Sequence, residues 1–143
     1  MLQRQHSLLI ACVLIVFASL PAAAQERPIM TGTWKGTGYG VQTGSTPYQP
    51  ADGAGAQFPQ SGIDFTYVLK EQRDNRFSGE MTSGKLKQTI IGAIQADNRT
   101  GVMLDENGQY FFTLIDPSTM DLCYNYLNPS GKFVGCFRLF KSH

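Results

Sequence analysis

Histidine is nearly missing from this chain, and its two copies, His6 and His143, stand at the extremes. The body between them offers no imidazole to a Ser-His-Asp or Cys-His nucleophile, to zinc or to a haem iron. No catalytic residue, metal ligand or cofactor is therefore assigned, and the chain reads as non-enzymatic. Tryptophan occurs once, at Trp34. Like charges never cluster: of 12 Lys and Arg only Arg4 precedes residue 25, leaving 11 against 11 Asp and Glu. Nucleic acid needs a basic stripe and an anionic membrane a basic face, so neither partner is expected. Also missing beyond residue 24 is any window with a 3.6-residue apolar period, and no substantial helix is predicted. The longest apolar run, Leu8 to Leu20, has 13 residues, short of the roughly 20 that cross a bilayer.

That run explains itself as an export signal. Arg4 and His6 supply a polar n-region, and Pro21 precedes Ala22-Ala23-Ala24, an A-x-A cleavage site. Cleavage after Ala24 leaves residues 25–143 as one periplasmic or secreted domain with no membrane span. Cys12 satisfies a lipobox-like pattern but sits inside the apolar run instead of ending it, so a lipid anchor is not expected.

What remains is a series of short β-rich segments: Thr31–Val41, Ile63–Glu71, Arg76–Thr82, Leu86–Gln95, Arg99–Asp105, Gln109–Ile115, Thr119–Leu127 and Lys132–Lys141. Between them lie Asp74-Asn75, Asp97-Asn98, Asn107-Gly108, Asp116-Pro117-Ser118 and Asn128-Pro129-Ser130-Gly131, residues that favour tight turns. Eight strands in meander order predict an all-β, antiparallel up-and-down barrel, because closure removes the edges an open sheet would expose. An open sheet with one wet face is the competing architecture.

Cys123 and Cys136 stand at mirrored distances from the last turn. Pairing Leu127 with Lys132 sets them opposite one another and puts Tyr124, Tyr126, Phe133 and Phe137 on one inward face. A one-residue slip, with Gly131 as a bulge, would split the cysteines between faces. The aligned register predicts a structural disulfide in an oxidising compartment.

Residues 42–62 break the rhythm with four Gly, three Pro and only two large side chains, Tyr48 and Phe58. A segment this long is either a linker without a role or a lid whose Tyr48 and Phe58 fold over a barrel mouth. Asp105-Glu106 approaches the Asn107-Gly108 turn, where a solvated carboxylate is the ordinary expectation. Asp64, Glu80 and Asp121 alternate with apolar residues and belong outside. Gly36, Gly38 and Gly40 lack the spacing of a dinucleotide loop; they suit a strand that bends sharply.

Gly32-Thr33-Trp34 on the first strand, with Arg138 on the last, resembles the calycin pattern of lipocalins and avidins. The resemblance implies a ligand-binding barrel in which Trp34 packs beneath a basic residue, with 42–62 where lipocalins carry a lid. Gly-Thr-Trp-Lys-Gly-Thr-Gly also looks like the opening of nitrobindin-type haem barrels, whose histidine has no counterpart here. Avidins line their biotin site with several tryptophans, and lipocalins add a C-terminal helix; this chain has neither.

Two functions follow as expectations. The first is binding of a small apolar or aromatic ligand by Trp34, Tyr48, Phe58, Tyr110, Phe112, Tyr124, Tyr126 and Phe133. The second is capture of an envelope protein through the loops.

Overall fold

The computed structural model describes residues 26–50, 53 and 55–142. The expected export signal, Cys12 and His143 lie outside the described residues. Nine β-segments occur: β1 Gly32–Gly38, β2 Gly40–Gly44, β3 Ile63–Arg73, β4 Arg76–Ser83, β5 Leu86–Ile94, β6 Thr100–Leu104, β7 Gly108–Asp116, β8 Thr119–Asn128 and β9 Gly131–Ser142. All pairings are antiparallel, each strand from β3 to β9 beside the next, and β1 and β2 both pair with β9 to close the barrel. Among the described residues no helix is long and apolar enough to cross a membrane.

The expected first strand, Thr31–Val41, is thus two pieces. They form one bent stave, because Lys35 pairs with Phe140 and Gly40 with Gly135 in a continuing register. The bend falls at Tyr39, whose side chain is exposed. Its glycine neighbours let the last strand's rings press onto the backbone. A Cβ at Gly38 would lie 2.7 Å from Phe137 and 2.9 Å from Phe65, and one at Gly40 would collide with Phe133. Eight staves therefore close the all-β barrel.

The last hairpin has the aligned register: Leu127 opposes Lys132, Tyr126 opposes Phe133 and Leu122 opposes Phe137. Asn128 closes the turn by accepting the Ser130 amide at 2.7 Å and its hydroxyl at 2.6 Å. Cys123 and Cys136 face each other outside the barrel, Cα atoms 4.0 Å apart, and are disulfide-bonded. Outside too are the carboxylates Asp121, held by a two-pronged bond from Arg138 (2.6 and 2.9 Å), and Glu80, between Lys70 (2.5 Å) and Lys87 (3.0 Å). The Arg138 guanidinium and the Lys70 ammonium are the chief reasons these two carboxyls titrate below their usual range.

Inside, buried side chains line the barrel from end to end. Trp34, Leu69, Phe112, Met120 and Leu139 occupy one end, and Tyr67, Met81, Ile90, Met103 and Leu122 follow. Tyr110, Tyr124, Tyr126 and Phe133 reach the other end, where Tyr48 packs from the loop. At the closed end Trp34 Nε1 donates to the Met30 carbonyl at 2.8 Å. The basic residue above its ring is Lys141, at 5.3 Å, and not Arg138. Arg138 has the outward parity of the last strand and is engaged by Asp121, whereas Lys141 lies opposite Trp34 across the closing seam.

Candidate functional site

The open end of the barrel is where polar groups gather, and the long loop covers it. Gln42, buried on β2, ties that loop down. Its backbone exchanges two hydrogen bonds with Gln57 (3.0 and 2.8 Å). Its amide donates to the Pro50 carbonyl at 3.1 Å and accepts the Thr46 hydroxyl at 3.2 Å. So anchored, the loop delivers Tyr48 to the mouth. The ring lies edge-on to Phe65 (centroids 5.6 Å apart) and Tyr124 (5.9 Å) and tilted against Phe133 (6.1 Å). Phe58 does not join it and is 71 % exposed, because it follows the Gln57 anchor on the outer side of the loop. A cleft of about 590 Å³ lies within this segment, lined by Gln42, Gln49, Gln57 and Phe58.

Under Tyr48 stands a tyrosine cluster. Tyr110 and Tyr124, opposite each other on β7 and β8, stack at 4.3 Å, and Tyr67 meets Tyr110 edge-on at 5.9 Å. Asp105 organises their hydroxyls. Its Oδ1 accepts the amides of Asn107 (2.7 Å) and Gly108 (2.6 Å), fixing the β6–β7 turn, and the Tyr124 hydroxyl lies at 3.4 Å. Its Oδ2 accepts the Tyr110 hydroxyl at 2.5 Å. The carboxylate expected to be solvated is therefore half-buried and faces the mouth as well as the turn. Tyr126 is engaged separately, accepting a hydrogen bond from the Asn128 amide.

Besides Gln49 Oε1 in the covering loop, two polar groups beneath Tyr48 lack a well-formed hydrogen bond. The Tyr67 hydroxyl, on a wholly buried side chain, lies within hydrogen-bonding influence of Tyr110 but makes no hydrogen bond of good geometry. Gln88, 4 % exposed, accepts the Tyr48 hydroxyl at 3.3 Å with one end of its amide, while the other end has no partner. Turning the amide over exchanges its ends and leaves one of them unmatched. Such groups are rare in folded proteins, since each forfeits its hydration without recompense.

Burial sets the chemistry of these phenols. It pushes Tyr48 up from 10.0 to about 12 and raises Tyr67, Tyr110 and Tyr124 well beyond the ordinary range. At neutral pH all four hold their protons, so the mouth is a set of neutral donors around one carboxylate. Among the described residues no three His, Cys, Asp or Glu stand together in a metal-holding group. The arrangement suits hydrogen-bonded recognition of a ring.

No known protein family, curated protein or solved structure matches this chain. Its site is read from its own geometry. Of the residues singled out in the sequence, Tyr48, Tyr110, Tyr124 and Phe133 come together at the mouth, with Tyr126 at its rim. Trp34 and Phe112 belong to the far end, where Phe112 packs on Phe77 at 5.9 Å. Sequence reasoning missed Phe65, Tyr67, Gln88 and Asp105. For Gln88 a signal existed: it alternates with Leu86 and Ile90, which places an amide at an inward position.

Proposed function

We propose that this is an exported, non-enzymatic barrel of calycin type that binds a small apolar or aromatic ligand at the loop-covered mouth. One observation carries the reading. A side chain from outside the barrel wall closes a mouth in which the Tyr67 hydroxyl and one end of Gln88 lie buried without partners. Polar groups left so are costly to the folded chain, and a ligand that meets them turns that cost into affinity. Buried side chains occupy the interior, and in this reading the ligand binds where the loop lifts. Trp34 beneath Lys141 supports the calycin relation, and the Cys123–Cys136 disulfide is compatible with an oxidising compartment.

The test mixes the two-ring dye 1-naphthylamine with the mature protein and follows its emission. A blue shift is expected, and it should vanish in Leu86→Trp, which crowds the mouth. No shift with folded wild-type protein, or a shift that Leu86→Trp leaves intact, removes the site from consideration. Export predicts that protein recovered outside the cytoplasm begins at Gln25, as N-terminal sequencing would read. An uncleaved cytoplasmic chain contradicts it.

The exposed Phe58 favours a second reading, capture of an envelope protein by the loop. Phe58→Ser should then abolish co-purification of that protein while leaving dye binding unchanged. Undiminished co-purification refutes it.

A further inference from the structure

We infer that the Tyr48 side chain stands in for the natural ligand, and that the mouth recognises a neutral, planar ring bearing a hydroxyl group, of the phenol or catechol class. This deepens the ligand-binding reading and rests on it. Tyr48 belongs to no strand, yet its ring is held as a guest would be. Phe65 and Tyr124 meet it edge-on, with interplanar angles of 72° and 86°, and Phe133 leans on it at 49°. Edge-to-face packing of this kind orients a flat ring and gives an aliphatic chain no equivalent.

The polar contacts narrow the class further. The Tyr48 hydroxyl reaches Gln88 at 3.3 Å, longer than a good O–H···O bond. The backbone tether holds the ring slightly short of its acceptor, and an untethered phenol can close that gap. A ring without a hydroxyl would leave the second end of the Gln88 amide unmatched as well. Near the guest's hydroxyl position stand the unused end of Gln88 and the buried Tyr67 hydroxyl, which is electrostatically coupled to Tyr48. A second oxygen beside the first, as in catechol, would meet both. An aromatic carboxylate is disfavoured, because Asp105 is the charged side chain bonded into the cluster. The loop closes as an autoinhibitory plug, and Gln42 with Gln57 is the fastening that must yield.

The experiment compares p-cresol, catechol, toluene and benzoate by calorimetry against the mature wild-type protein and Tyr48→Ala. Tyr48→Ala should bind p-cresol, whose ring and hydroxyl take the place of those removed, and catechol. Toluene should bind about tenfold more weakly or worse, since it leaves a buried acceptor unpaired. Benzoate should not bind. Wild-type protein should show the same order at lower affinity, with faster amide exchange at Gln42 and Gln57 as catechol binds. Toluene or benzoate matching p-cresol overturns the phenolic class while leaving an aromatic site. Failure of every probe with both folded proteins overturns the site itself. Phenols that bind Tyr48→Ala but never release the wild-type loop overturn the stand-in role. Should Tyr48→Ala not fold, Tyr48→Phe decides the matter. It keeps the plug but drops its hydrogen bond, so catechol should bind it more tightly than wild type; equal affinity refutes the proposal.

Discussion

Tyr67→Phe should make the ligand-free protein more stable. The substitution removes one oxygen from a side chain that is wholly buried and leaves the ring against Phe65 (6.3 Å) and Tyr110 (5.9 Å). That oxygen makes no hydrogen bond of good geometry, so its lost hydration is poorly compensated, a penalty of about 1 kcal/mol or somewhat more. Relieving it should raise the denaturation temperature by about 4 °C in a domain of this size. Tyr110→Phe is the internal control. It is the same chemical change on the neighbouring ring, but it breaks the 2.5 Å bond to Asp105 and should destabilise by about 2 kcal/mol. Urea denaturation of the three proteins at neutral pH reads both effects, provided the slope of each transition is unchanged. Opposite signs for the two variants are the expected result. If Tyr67→Phe lowers the midpoint as Tyr110→Phe does, the Tyr67 hydroxyl is satisfied in the folded protein. The mouth would then hold no unmet hydroxyl for a guest to satisfy.

Alkaline pH should open the lid. Both lid states hold the Tyr48 proton below about pH 10, so closure is insensitive there. Above it the open form ionises first, and closure weakens tenfold per unit until the covered phenol follows at about 12. Phenolate absorbance of wild type minus Tyr48→Phe should show that late midpoint, and one near 10 contradicts it. Replacing Cys123 and Cys136 by Ser, which opens a link between residues 13 apart, should cost about 3 kcal/mol in urea denaturation. An unchanged midpoint would refute the chain-entropy account. Gln42→Ala should leave Trp34 fluorescence alone but speed protease nicking within residues 42–62 by roughly tenfold, as its buried amide bonds to the loop vanish. Unaltered nicking would show that the loop is fastened elsewhere.

The last hairpin was legible because two independent patterns agreed there. Turn chemistry and face parity both put Cys123 opposite Cys136 and sent Tyr124, Tyr126, Phe133 and Phe137 inward. The partner of Trp34 was not legible in this way. The alternation of the last strand already turned Arg138 outward, but the residue that stands opposite Trp34 depends on the register between the first and last strands, which no turn connects. Asp105 hid for another reason. A carboxylate before Asn-Gly is fully explained by the turn, and only the barrel's curvature brings its second oxygen over Tyr110. Tyr48 and Phe58 lie where the chain has no period, and the Gln42–Gln57 bridge that separates their fates is a tertiary contact.

The seam between the bent stave and β9 joins residues 32–44 to residues 131–142. The two sides of the closing ladder are therefore among the earliest and latest parts of the barrel to be made. Until β9 is available, β1 has one neighbour, β8 has one neighbour, β2 has none, and no piece short of the full set encloses Trp34. Bringing such distant segments together costs loop entropy that only the completed ladder returns. Folding is thus a property of the finished chain, and a nascent molecule keeps an open sheet whose two unpaired borders match each other better than they match a stranger.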